Sequence, residues 1–272
     1  MMDVTSVGCG GGTCSCACFN RLAANQPDEW VLKGGFAVEL RRPGLARTTV
    51  DIDLTVRRRI VGNVDVIRIR DMLVAALSVD VDGDSFQFSL GPGAPLADDA
   101  YGRPAWRFTV DAILAGRSFV RFRMDLVERP EELVGLTTPT LPVGVGAPPG
   151  AVVRSVVATD LRQQFAEKFH ALTRSYASGE STRVKDLLDI VLLVDDGLIG
   201  DAELHVVVRR VFAVRGTAEL PTVLDAPPLA WAEPFQRMAV DVGLLDMTAV
   251  DAGRIASDIW LDACQAVQRR EI

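Results

Sequence analysis

Trp30-Val31-Leu32-Lys33-Gly34-Gly35-Phe36-Ala37 opens as an apolar run, passes through a lysine and two glycines, and continues as a helix carrying Phe36 to Arg42. The breaker pair Pro43-Gly44 ends that helix. Val50-Asp51-Ile52-Asp53-Leu54-Thr55-Val56 then alternates strictly and predicts a strand with one buried face. Strand side chains alternate, so Asp51 and Asp53 project from one face while Val50, Ile52, Leu54 and Val56 project from the other. Glycines let a backbone approach phosphate closely, and the exposed amides at a helix N-terminus favour anions. Two carboxylates on one face offer the hard oxygens that a divalent cation prefers. Either feature alone has an ordinary reading, a tight turn or a polar strand face. On consecutive elements they form a phosphate cradle beside a carboxylate pair.

Further along, a helix is expected around Asp65 to Leu77 and a strand around Ser85 to Leu90, then a loop from Gly91 to Gly102 rich in Gly, Pro and Ala, which reads as a flap. Trp106 to Leu114 and Phe119 to Val127 both alternate and predict an antiparallel hairpin closed by Gly116-Arg117-Ser118. That register sets Val110 opposite Met124 and Asp111 opposite Arg123. Asp125 lies on the same strand face as Arg121 and Arg123. An exposed ion-pair face explains it, but if this strand neighbours the Asp51 strand, Asp125 becomes a third carboxylate or a general base.

The second half reads as helical. Leu161, Phe165, Phe169, Leu172 and Tyr176 recur at helical spacing, Ser181-Thr182 cap a second helix through Leu187 to Val194, and further helices are expected near Glu203 to Val214, Ala230 to Asp241 and Thr248 to Arg269. Lys168 lies at the edge of the first apolar stripe, where snorkelling is the ordinary explanation and a reach to a phosphate the functional alternative. On that reading Lys168→Ala impairs chemistry more than stability. Asp186 falls in the first turn of the next helix, where the dipole favours an acid in any case. His170 points away from the stripe and is expected to be exposed. The domain division is therefore a leader at 1–18, a core at 19–130, a linker at 131–150 and a helical domain at 151–272.

The 272 residues are 49% hydrophobic, enough for a substantial core, and no apolar run reaches membrane-spanning length, which places the protein in the cytoplasm with no membrane partner. The formal charge of -7 argues against coating nucleic acid by bulk electrostatics, although arginines gather at Arg57 to Arg59, Arg68 and Arg70, and Arg121 and Arg123. Cys9, Cys14, Cys16 and Cys18 crowd a glycine-rich N-terminus without the paired spacing of a zinc site. They are expected in a disordered leader that is dispensable for folding. Neither histidine has a triad partner, so serine-hydrolase chemistry has no support.

Three pieces resemble the AbiEii and MenT-type toxins of bacterial abortive-infection and toxin–antitoxin systems, within the polymerase-beta-like nucleotidyltransferases. They are Leu32-Lys33-Gly34-Gly35-Phe36-Ala37, Arg47 to Leu54, and Glu167-Lys168-Phe169-His170-Ala171-Leu172 followed by Arg183-Val184-Lys185-Asp186-Leu187-Leu188-Asp189. The resemblance implies an α/β (α+β) protein, a mixed-sheet nucleotidyltransferase core with an appended C-terminal helical half. It also implies a nucleoside triphosphate substrate (NTP), Mg2+ or Mn2+, transfer to an RNA acceptor such as the 3′ end of tRNA, a block of translation, and a cognate antitoxin partner. On these residues Asp51 and Asp53 match the metal pair, Lys33, Gly34 and Gly35 the nucleotide cradle, Lys168 the motif lysine and Asp186 the acid of the later motif. Where many relatives carry Gly-Ser, this chain carries Gly34-Gly35, leaving backbone amides to bind phosphate. Two alternatives are a nucleotidyltransferase acting on a protein or small molecule, and a non-catalytic nucleotide-binding regulator.

Overall fold

A computed structural model describes the chain except for residues 1–9, 27–28, 44, 46–48, 50, 58–65, 82, 97–103, 134–138, 144–153, 174–182, 217–218 and 271–272. It separates into two compact units that divide between Thr159 and Asp160.

The first unit is built on a mixed sheet. Strand β1 (Trp30–Lys33) runs into helix α2 (Gly34–Arg41), which follows α1 (Gly10–Asn25) in the chain; β2 (Asp51–Val56), α3 (Val66–Leu77), β3 (Phe86–Leu90), β4 (Ala94–Pro95), β5 (Ala105–Leu114) and β6 (Arg117–Val127) come next. The strand order is β1-β2-β6-β5-β3, with β4 also on β5. β2 and β6 are parallel, and the other neighbours are antiparallel. One face is the core. Leu32, Leu54, Leu126 and Trp106 form one row across four strands and Ile52, Met124 and Phe108 the next, all buried. Burial of such rows is the main stabilising term of the sheet.

Residues 10–18, expected in a disordered leader, are instead helical. Cys14, Cys18 and Leu22 recur every four residues along α1 and are buried, and Phe19 stacks on Phe36 of α2 at 5.2 Å. Small apolar side chains at helical spacing make a packing face, and thiols behave there as small hydrophobes. Cys9 lies outside the described residues. Arg21, also buried, donates to both oxygens of Asp84 at 2.6 and 2.7 Å and to the carbonyls of Phe86 and Ala17.

The hairpin of β5 and β6 forms, but in a different register. Ala115 and Gly116, both at positive φ (49° and 77°), make a two-residue turn, and an irregularity at Ala112/Ile113 then sets Val110 opposite Phe122 and Asp111 opposite Arg121. Two successive left-handed residues match the strand twist in a tight hairpin. A shift of two keeps every side chain on its face, so alternation alone does not distinguish the registers. The expected linker also carries structure: a 3-10 turn at Pro130–Leu133 and strand β7 (Thr140–Val143), which pairs antiparallel with β8 (Arg154–Val157) within the first unit. Of the Gly91 to Gly102 loop, Ala94 and Pro95 pair with β5, and residues 97–102 lie outside the described residues.

The second unit holds α4 (Leu161–Thr173), α5 (Val184–Asp195), α6 (Ala202–Arg215), α7 (Ala232–Asp241) and α8 (Ala249–Arg270). Phe165, Phe169 and Trp260 fill its centre. Asp201 caps α6 by accepting from the Leu204 amide, and Gly216 ends it in the left-handed conformation. Thr248 and Asp251 exchange bonds at the start of α8 as a capping box does. The expected cap at Ser181-Thr182 lies outside the described residues. His170, expected at the surface, is buried with its ring edge-on to Phe212 at 4.9 Å. An imidazole is flat and largely apolar, and a hydrophobic stripe wider than one residue row takes it in.

Candidate active site

The polar face of the sheet is set by register. Lys33 pairs with Asp53, Asp53 with Asp125, and Asp125 with Arg107, so one row across β1, β2, β6 and β5 reads lysine, aspartate, aspartate, arginine. The neighbouring row is Asp51, Arg123 and Thr109. Like charges opposite one another are unfavourable, and the flanking cations offset that cost.

Each charge has a defined partner. Arg107 forks onto Asp125 at 2.7 and 2.6 Å, and Arg123 forks onto Asp51 at 3.0 and 2.9 Å. The bond to Asp125 holds the Arg107 guanidinium above its ordinary pKa despite partial desolvation, and the charges of Asp125, Asp51 and Asp53 add to this. Arg107 is thus close enough to feel all three carboxylates. Neither it nor Glu132 was singled out in the sequence. Glu132, in the 3-10 turn, is 1% exposed and lies 3.3 Å from the Lys33 ammonium, so Lys33 is committed at least partly to a buried ion pair. One of two adjacent acids after Pro130, with nothing to mark its burial, gave no signal for this.

Gly34 has φ of +69°, and a Cβ built there would come within 2.8 Å of Asp53 Cγ and overlap its Oδ2. Glycine therefore serves two purposes here: it adopts the left-handed turn, and it lets the Asp53 carboxylate lie against the start of α2. Asp51 and Asp53 present hard oxygen donors from one strand face, which suits a divalent cation. β6 does neighbour β2 as the three-carboxylate reading required. Yet among the described residues no three His, Cys, Asp or Glu side chains gather as a metal-binding group. Arg107 engages both oxygens of Asp125 and Arg123 both oxygens of Asp51.

Lys168 and Asp186 belong to the second unit. Lys168 is 7% exposed, not at a free edge, and its ammonium lies 2.6 Å from Asp189 and 3.4 Å from Asp186. Arg183 also reaches Asp186, at 3.4 Å. Asp189 is fully buried one turn after Asp186 on α5. A charge inside the apolar run Leu187 to Leu193 was its sequence signal. A carboxylate there needs a close cation, and Lys168 supplies it.

The arginine clusters are structural in part. Arg70 donates to the carbonyls of Leu90 and Gly91, and Arg121 pairs with Asp111. Arg58 and Arg59 lie outside the described residues. No described helix is long and apolar enough to cross a membrane.

A family model described as nucleotidyl transferase AbiEii toxin, type IV toxin–antitoxin system, matches residues 19–257. Among solved structures the chain is similar to the nucleotidyltransferase toxin MenT4 of Mycobacterium tuberculosis H37Rv, with a TM-score of 0.51 and 16% identity over 94% of this chain and 91% of that one. It is also similar to JHP933 of Helicobacter pylori, with a TM-score of 0.46 and 14% identity over 99% and 97% of the two chains. No curated protein sequence matches.

Proposed function

From the chain's membership in the AbiEii nucleotidyl transferase toxin family, we propose that it transfers a nucleotide from a nucleoside triphosphate to an RNA acceptor, the 3′ end of tRNA, and so blocks translation. The observation that carries this reading is the contact of the Asp53 carboxylate with the Gly34 turn, beside Asp125. It joins an anion cradle to a cation-binding carboxylate within one strand–turn–helix unit.

The Gly34 and Gly35 amides at the start of α2 bind the triphosphate, with Lys33 adding positive charge behind them. Asp51 and Asp53 would hold a divalent cation, Mg2+ or Mn2+, which would offset phosphate charge and polarise the α-phosphate. Asp125 takes the proton of the acceptor hydroxyl. The hydroxyl oxygen bonds the α-phosphorus and pyrophosphate leaves. Lys168, held by Asp189 and Asp186, contributes a positive charge to catalysis. A cognate antitoxin restrains the enzyme in the cytoplasm.

The deciding experiment incubates purified protein with each radiolabelled triphosphate, Mg2+ or Mn2+, and total RNA. Label is expected in tRNA-sized RNA with one triphosphate preferred. Label in protein or in a small molecule would replace the RNA acceptor, and no incorporation from any triphosphate would leave only a nucleotide-binding regulator.

A further inference from the structure

Arg107 and Arg123 are placed by the same register that builds the carboxylate row. Each is a cross-strand neighbour of one acid and engages both of its oxygens: Arg107 on Asp125, Arg123 on Asp51. A forked guanidinium occupies the two oxygens that a cation would need. Both arginines are half-exposed, with side chains 40% and 53% accessible, so each can swing away without opening the core. The Arg123–Asp51 pair is exposed and the Arg107–Asp125 pair partly so, with Asp125 19% accessible, and such pairs exchange more readily than fully buried ones. The third acid, Asp53, lies between the two pairs against Gly34.

The geometry points to Arg107 and Arg123 as internal counter-ions of the site, which hold Asp125 and Asp51 in the metal-free protein and must be displaced by a divalent cation. This rests on the reading of Asp51 and Asp53 as the cation pair, and extends the site to Asp125 as a third carboxylate in place of its reading as the general base. Its consequence is that the two arginines lower the affinity of the empty site for the cation and stabilise the sheet face while it is empty. The cation itself then takes over the neutralisation of three neighbouring carboxylates. Occupancy by the arginines and by the cation is mutually exclusive at Asp51 and Asp125. Each arginine therefore raises the cation concentration needed to fill the site.

The test titrates the full-length protein with Mn2+ alone, following free Mn2+ by electron paramagnetic resonance, with melting temperatures measured in chelator and at saturating Mn2+. Arg123→Met and Arg107→Met are each expected to bind Mn2+ about three- to tenfold more tightly than the parent, as loss of a competing ion pair and a nearby positive charge requires. Their melting temperatures should fall in chelator and approach the parent value in Mn2+. Arg121→Met removes the same charge two residues earlier on the same face of β6, where the partner is Asp111. It should leave Mn2+ affinity near the parent's. Arg107→Lys keeps the charge but loses the fork, and should gain part of the affinity. Unchanged or weaker Mn2+ binding in both Met variants, with parental binding still lost in Asp53→Asn, would overturn the exchange and leave the metal assignment standing. An equal gain in Arg121→Met would also overturn it, as a mere effect of net charge. Absence of Mn2+ binding in the parent would remove the metal assignment and the exchange together. Should Arg107→Met not fold, the more exposed Arg123 decides alone.

Discussion

Asp53 and Asp125 are register partners across the parallel strands β2 and β6, so both carboxylates rise from one face of the sheet, and Arg107 is forked onto the second of them. Residues 72 positions apart in the chain thereby become neighbours in a candidate site, and several measurable consequences follow from where the charges lie.

Asp51→Asn and Asp53→Asn are each expected to reduce nucleotide transfer about a hundredfold or more, the scale of about 3 kcal/mol of lost transition-state stabilisation. The core face, with Ile52 and Leu54 fully buried, is untouched, so melting temperatures should fall by no more than the loss of the exposed Arg123–Asp51 pair accounts for. Initial rates with labelled triphosphate check this, and undiminished transfer by both variants would sink the metal assignment.

Gly34→Ala is expected to destabilise the first unit by about 1 to 3 kcal/mol, because alanine is strained at positive φ and its Cβ overlaps the Asp53 carboxylate. Transfer should fall further than stability accounts for, since the overlap displaces the carboxylate from the start of α2. Denaturant melts beside single-turnover rates separate the two effects. Parental stability with parental rate would mean that the turn has no such packing role.

Lys168→Met is expected to cost about 3 to 5 kcal/mol of stability, since it withdraws the ammonium nearest a fully buried Asp189. The edge position read from the sequence led to the opposite balance, a larger loss of activity than of stability. In Lys168→Met/Asp189→Leu both charges are gone and most of the stability should return. If transfer stays lost in that folded double variant, the ammonium also acts on the nucleotide. Recovered transfer would confine Lys168 to packing.

Asp201→Ala is expected to cost the second unit about 1 to 2 kcal/mol at neutral pH by removing the cap of α6. The fork from Arg162, helped by the Leu204 amide and opposed by partial burial, holds the Asp201 carboxyl below the usual range. A depressed folded pKa stabilises above the unfolded value of about 3.9, and that stabilisation is lost as pH falls through the folded one. The gap between parent and variant should thus be constant from pH 7 to 5 and shrink below about pH 4. Urea melts across that range measure it; a gap that widens in acid would contradict the sign.

Removing residues before Phe19 is expected to destabilise the first unit by about 2 to 4 kcal/mol, because Cys14 and Cys18 are 1% and 0% exposed. Burial also pushes the Cys14 thiol up to about 12, and Cys18 higher still, so both stay protonated at neutral pH. Thiol labelling should leave these two unmodified until the protein unfolds. Rapid labelling of Cys14 and Cys18 in native buffer, with an unaltered melt for the truncated chain, would restore the reading of a loose leader.

Local periodicity was enough to set Asp51 and Asp53 on one strand face, to mark the turn at Gly34 and Gly35, and to separate a sheet-bearing half from a helical one. Those features depend on residues close in sequence, where backbone geometry fixes which way a side chain points. The pairing of β2 with β6 is not local, and nothing in either segment names its neighbour. Tertiary structure alone therefore brought Asp125 beside Asp53 and supplied Arg107 from β5 and Glu132 from the following turn. The hairpin register escaped the sequence for a related reason: a slip of two residues preserves every face, and the choice fell to the turn at Ala115 and Gly116. Burial of Cys14, Cys18, Lys168 and His170 was likewise decided by what packs over them, because small, amphipathic or flat side chains carry weak local preferences and take the environment the fold assigns.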